Sequence, residues 1–322
     1  MTHNTETNHK ADWQIGSLCK DGWMSYRWHR SFTNPYPEKD FEIFLNLKEP
    51  TEIVPMDVAA RNVAKDIQQT YKNKKLFLAM SGGIDSEYVA VTLKKMNIEF
   101  TPIIVQVEQY NQMDAWWVHY WCKQNNIQPI TIDITLSNFF LEFLRITKRY
   151  WSNRVQAAAI QSFCCDYVNK HNGILIGGGG IHELYIPDPI MPVESKDPTL
   201  EGKVGYLFNE ADLIKHLVCE DKLKLDTPTM FFNWNPEIIL SYIAARNNDL
   251  TTEENRFKIF NLNPRPKIGA PVTNDFRKYL HINDPVVQKT CKVVKLFAGI
   301  GTSDSCYLGN TETLMKVLKN EK

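Results

Sequence analysis

The stretch Leu76-Phe77-Leu78-Ala79-Met80-Ser81-Gly82-Gly83-Ile84-Asp85-Ser86 decides how this chain is read. Leu76 to Met80, five apolar residues after Lys74 and Lys75, have the pattern of a short strand buried on both faces of a parallel sheet. Gly82 and Gly83 lack Cβ atoms, so the chain can turn sharply there and bring backbone N–H groups close to an anion. A helical pattern opens at Glu87 and runs through Tyr88 to Met96, its positive dipole end pointing back into the turn. Phosphate oxygens suit such a place. Ser81 and Ser86 add hydroxyl donors, and Asp85 either braces the loop or helps bind a magnesium ion that screens phosphate charge.

No Gly-Lys-Ser/Thr follows the glycines, so the turn is not a Walker loop. Ser81-Gly82-Gly83-Ile84-Asp85-Ser86 instead resembles the PP-loop of the N-type ATP pyrophosphatases, the superfamily of asparagine synthetase, NAD synthetase, GMP synthetase and the tRNA thiolation enzymes. The resemblance implies an enzyme that uses ATP and Mg2+, cleaves ATP between its α and β phosphates and transfers AMP to a substrate oxygen. By the same resemblance Ser81, Gly82, Gly83 and Ser86 grip the pyrophosphate and Asp85 binds the metal. A chance glycine turn is the competing reading, and the order of buried strand, turn and helix counts against it.

Downstream, Phe100 to Val107 reads as a second strand, Asp114 to Asn125 as an aromatic-rich helix and Ile130 to Ile134 as a third strand. Val155 to Lys170 follows as a long helix and Gly173 to Ile176 as a short strand. Strands alternating with helices predict an α/β fold with a doubly wound, mainly parallel sheet. The resemblance places adenine and ribose beside the end of the second strand, which makes Gln106, Glu108 and Tyr110 candidates there. Trp116, Trp117, Tyr120 and Trp121 are expected to be core and helix-packing material.

A second glycine run, Gly177-Gly178-Gly179-Gly180-Ile181-His182-Glu183-Leu184, leaves the last of these strands, where loops of a parallel sheet converge on ligands. It is similar to the asparagine synthetase loop Gly-Glu-Gly-Ser-Asp-Glu-Leu, with Gly178 a candidate phosphate contact. Gly179 stands where that family has a catalytic glutamate and His182 where it has a metal-binding aspartate, while Glu183 and Leu184 agree. Magnesium prefers oxygen donors, so Glu183 is the candidate metal ligand and His182 a candidate contact to substrate or pyrophosphate. A helix-capping histidine and a solvated glutamate are the plainer alternative. The glutaminase half of asparagine synthetase is expected to be absent, since Met1-Thr2-His3-Asn4 lacks its N-terminal cysteine and about seventy residues precede the loop strand. Free ammonia, or a separate ammonia or sulfur donor, would then supply the nucleophile to a small-molecule acceptor.

The 322 residues carry 37 basic and 37 acidic side chains, so net charge points to neither nucleic acid nor an anionic membrane. Seven cysteines with no Cys-X-X-Cys spacing are read as reduced thiols of a cytoplasmic protein, with Cys164 and Cys165 in helix packing. No hydrophobic run reaches membrane-spanning length. Three regions are expected. Residues 1–57 form a strand-rich extension, with Asp57 capping a helix from about Val58. Residues 58–190 form the ATP-binding domain, and residues 191–322, after a proline-rich connection, a mostly helical substrate region including 209–219 and 236–246. There Lys267 and then Arg265 are the candidate cations for pyrophosphate, with solvated loop positions as the plain alternative. Lys295-Leu296-Phe297 and Gly299 to Ser305 echo the first loop but are read as a turn. The competing functions are a tRNA- or nucleobase-modifying PP-loop enzyme, a sulfonucleotide reductase, which lacks its Glu-Cys-Gly motif here, and a catalytically silent nucleotide-binding protein.

Overall fold

The computed structural model describes residues 53–108, 110–150, 156–179, 232–245, 257–263 and 282–297, the helix 210–223, and the strands 14–17, 24–28, 41–45, 184–185, 205–208 and 306–308. Strands β1 (Gln14–Ser17), β2 (Met24–Trp28) and β3 (Phe41–Leu45) form an antiparallel sheet in sequence order. Helix α1 (Met56–Thr70) leads into β4 (Leu76–Ala79), α2 (Ile84–Lys95), β5 (Thr101–Val107), α3 (Gln112–Gln124) and β6 (Ile130–Ile134). Two helices, α4 (Leu136–Tyr150) and α5 (Gln156–Lys170), precede β7 (Ile174–Gly177). Beyond it lie β8 (Leu184–Tyr185), β9 (Gly205–Phe208), α6 (Glu210–Leu223), α7 (Pro236–Ala245), α8 (Pro285–Phe297) and β10 (Cys306–Leu308). The region 191–322, expected to be mostly helical, thus also carries β9 and β10, which form a small antiparallel sheet, β10-β9-β8, with a strand that precedes it.

The central sheet is β6-β5-β4-β7, with every neighbouring pair parallel. Side chains alternate across it, as a pleated strand requires. Phe77, Ile103, Val105 and Leu175 join the core under α4, α5 and α6, whereas Leu76, Leu78, Ile104, Ile174 and Ile176 join the core under α1, α2 and α3. Helices therefore cover both faces, and the apolar runs read from sequence are strands buried on both sides. On α4, Leu136, Phe139, Phe140, Phe143, Ile146 and Tyr150 make one apolar stripe, and Phe139, Phe140 and Phe143 are fully buried. Each such ring contributes about 1.5–3 kcal/mol by leaving water.

Three helix-to-strand returns use one device. Asn97, Asn126 and Asn172 follow α2, α3 and α5 with φ of 55°, 54° and 49°. The next residue donates its N–H back into the last turn: Ile98 to Leu93 O (3.0 Å), Ile127 to Cys122 O (3.0 Å) and Gly173 to Val168 O (3.1 Å). Asparagine tolerates the left-handed conformation that this helix ending needs. At the other end of the domain, α1 starts at Met56 after Pro55, not near Val58. Asp57 lies inside its first turn, where it faces the helix dipole and pairs with Arg61 at 2.8 Å, so it is not the cap expected from sequence.

The aromatic cluster of α3 also departs from expectation. Trp121 is buried, but Trp116 is 55% exposed and Tyr120 44% exposed, their rings stacked on each other at 5.6 Å. Only the Ala115, Val118, Trp121 and Cys122 face reaches the core. No described helix is long and apolar enough to cross a membrane.

Candidate functional site

The chain runs from β4 outward through β5 to β6, then returns to place β7 on the other side of β4. Loops leaving β4 and β7 diverge at this switch point and open a crevice at the carboxyl ends of the strands. Met80 still donates its N–H to Ile103 O at 3.0 Å before Ser81-Gly82-Gly83 turns the chain into α2. Gly82 has φ +75°, and a Cβ there would lie 2.8 Å from Asp114 O, so conformation and packing against α3 both demand glycine. Two serines lace the turn. Ser86 Oγ donates to Gly83 O at 3.0 Å and accepts the Ser81 N–H at 3.3 Å, while Ser81 Oγ accepts the Gly83 N–H at 3.3 Å.

Helix α2 starts at Ile84, three residues before the expected Glu87, which places Asp85 and Ser86 in its first turn. Its ladder begins with Glu87 N–H to Gly83 O at 3.2 Å. The N–H groups of Ile84, Asp85 and Ser86 therefore precede the ladder, at the positive end of the helix dipole. Gly178, leaving β7, packs directly on this turn: a Cβ on it would sit 2.9 Å from Ser86 N. Asn233, in the helical turn Phe232–Trp234, holds that second loop by donating its backbone N–H to Gly178 O and its Nδ2 to Gly179 O, both at 3.0 Å.

A cavity of about 390 Å³ opens between the two loops. Ser81, Asp85, Ser86 and Gly178 line it, with Gly82 and Gly83 shaping the turn behind them. Its other walls come from β5 (Ile103, Ile104, Val105), from Asn111 and Asp114 at the start of α3, and from Ile160, Gln161 and Cys164 on α5. Lys215 of α6 completes it and is the one cation among the described residues of the lining. The wall on β5 stops at Val105. Gln106 lies one residue further on, its register partner Asp133 on β6, and Tyr110 is in the core against Phe139 at 4.7 Å. His182, Glu183, Arg265 and Lys267 lie outside the described residues.

Asn111, Asp114, Gln161, Lys215 and Asn233 are absent from the sequence-based candidates. The first four line the cavity from α3, α5 and α6, Asn233 braces its second loop from a helical turn, and no local spacing marks them. Cys164 is fully buried; burial first, and then its neighbour Cys165, pushes its thiol well above the ordinary range. A thiol held protonated in this way is a poor nucleophile at neutral pH.

No protein-family model matches the chain, and no curated protein does. Solved structures similar to it include an NH3-dependent NAD synthetase from Campylobacter jejuni at 18% identity and a TM-score of 0.28, covering 39% of this chain and 57% of that one. An NMN synthetase from Francisella tularensis is 12% identical with a TM-score of 0.32, covering 76% and 95%. A glutamine-dependent NAD+ synthetase from Acinetobacter baumannii is 12% identical with a TM-score of 0.33, covering 74% and 53%. The chain thus spans little more than half the length of the first and third of these proteins. At such identities and TM-scores, the reading of the site is left to its own residues.

Proposed function

We propose that the chain binds ATP in this crevice and transfers AMP to an oxygen of a small-molecule acceptor, a carboxylate, amide or ring carbonyl, with release of pyrophosphate. A nucleophile such as ammonia or a sulfur donor would then displace AMP. The observation that carries this reading is the convergence of the Ser81–Gly83 turn, the α2 N-terminus and the Gly178 loop on one cavity that also holds Lys215. The donor chemistry fits a polyphosphate: backbone N–H groups at a helix start, a dipole of the right sign and one amine. Asp85 and Asp114 supply hard oxygen donors in the same cavity. Among the described residues no three acidic, histidine or cysteine side chains form a cage of their own. That suits magnesium, which is held by one or two carboxylates together with substrate phosphates and water.

In this reading the helix start and loop amides orient the β and γ phosphates, and Lys215 takes up the negative charge that grows on the departing pyrophosphate. Asp85 and Asp114 would hold magnesium, which would supply charge neutralisation to the phosphates. The apolar walls of β5 and α5 limit water at the bond being broken.

Exchange of labelled pyrophosphate into ATP, run with magnesium and pooled metabolites, tests the reading. Exchange that depends on one acceptor pool is expected, reduced about 10²–10³-fold by Lys215→Met, as for loss of one group that stabilises transition-state charge. Asp85→Ala is expected to abolish the exchange, because it removes one of the two oxygen donors for magnesium. ATP binding without exchange in any pool would reduce the protein to a silent nucleotide binder, and no ATP binding would end the proposal.

A further inference from the structure

β4 pairs with β5 only as far as Ile103, because the glycine turn then carries the chain away. Beyond that point the edge of β5 would leave unmatched Val105 C=O, on the cavity wall, and Val107 N–H, just past the end of that wall. The Asn111 carboxamide fills the gap: Nδ2 donates to Val105 O and Oδ1 accepts the Val107 N–H, both at 2.8 Å. The two partners fix which way the amide is turned, since one is an acceptor and the other a donor. Asn111 itself is buried and lines the cavity, so the contact forms part of the wall.

A carboxamide presents an N–H donor beside an oxygen acceptor. Adenine presents the same pair along its Watson–Crick edge, the 6-amino group beside the ring nitrogen N1. The strand edge that could read adenine through the backbone is therefore already occupied by the protein's own side chain. The remainder of this wall is the strand edge at Ile103, Ile104 and Val105, three residues with no polar side chain to distinguish donors from acceptors.

We propose that Asn111 sets base selectivity by closing the β5 edge, so that the site accepts purine nucleoside triphosphates with little discrimination at the 6-position. This rests on the ATP reading above. ITP isolates the effect, because it differs from ATP in exchanging the amino donor and ring acceptor for a carbonyl acceptor and an N–H donor. The wild-type chain with magnesium is expected to bind ATP and ITP with dissociation constants within about three-fold of each other. A bidentate base contact would instead separate them by roughly ten-fold or more. Asn111→Ala uncovers the pair and is expected to raise the preference for ATP to at least about ten-fold. Asn111→Ser, too short to reach both strand groups, likewise uncovers the pair and moves selectivity in the same direction should the alanine variant fail to fold. A wild-type preference for ATP of about ten-fold or more overturns the inference. So does a ratio that both variants leave unchanged. A folded chain that binds neither triphosphate overturns the ATP reading itself, which a ratio alone could not do.

Discussion

Asn233 shows how far a single buried amide reaches. It is fully buried, its backbone N–H and Nδ2 both serve the Gly178–Gly179 carbonyls, and its Oδ1 is buried with no hydrogen-bond partner. Gly179 has φ +61° and Gly178 touches the first turn of α2, so the amide is coupled through the second loop to the side of the cavity formed by the α2 N-terminus. Asn233→Ala leaves the Gly179 carbonyl without its donor and is expected to cost about 1–3 kcal/mol. Urea unfolding reads that cost. The same variant is expected to weaken ATP binding, and a stability loss with unchanged nucleotide affinity would detach Asn233 from the site. Residues of this kind explain what sequence could and could not yield. Ser81, Asp85 and Ser86 sit within one six-residue pattern and could be singled out because a single turn brings them together. Asn111, Lys215 and Asn233 are an asparagine before a helix, a lysine in one and an asparagine in a short turn. Each is ordinary locally and informative only once the sheet has folded.

Among the elements, legibility followed length and periodicity. Strands β4, β5 and β7 are readable because burial on both faces makes each a short, nearly continuous apolar run, whereas the half-buried edge strand β6 shows as an alternation of isoleucine with polar residues. Helix α4 was absent from the expected elements although its signal is strong: Thr135 Oγ1 accepts the Asn138 N–H at 3.2 Å, and apolar residues recur at 136, 139, 140, 143 and 146. It lies between β6 and α5 with no glycine turn to punctuate it. In α3 the aromatic content was visible but its direction was not, since tryptophans at 116, 117 and 121 crowd more than one face. The two faces make opposite predictions. Trp121→Ala removes a buried indole and is expected to cost about 3–5 kcal/mol, whereas Trp116→Lys on the exposed face is expected to change stability by less than about 0.5 kcal/mol. Chemical denaturation of the two variants side by side reads the helix's orientation, and equal losses would mean that the outer face is covered.

The whole molecule adds a property that no single element carries. Both faces of the sheet bury thiols and phenols that folding keeps protonated. Burial pushes the Cys122 thiol up to about 11. Burial likewise raises Cys164, then Cys165 raises it further, and Cys219 is raised by burial and by Cys165, whose Sγ lies 3.4 Å away. Tyr88 is raised by burial and then by Asp57, and Tyr150 by burial and then by its hydrogen bond to Asp221 at 2.6 Å. On unfolding, the thiols return to about 8.5 and the phenols to about 10. Between the unfolded and folded values, the unfolded chain has released a proton that the folded chain keeps. The contribution is fully present below about pH 8.5 and is lost as pH rises toward the folded values, by about 1.4 kcal/mol per pH unit for each thiol. Three such thiols acting together would remove about 4 kcal/mol per unit, a large share of a domain stability of roughly 5–15 kcal/mol. Unfolding free energies measured by urea in reducing buffer are therefore expected to change little from about pH 6.5 to 8 and to fall steeply from about pH 9 upward. Cys122→Ala should lessen that slope by one thiol's share while costing stability at every pH through the space it leaves. A profile flat to about pH 10 would mean that water reaches these thiols in the folded chain. It would then contradict the close packing of α5 on α6 that brings Gln161, Cys164 and Lys215 to the cavity.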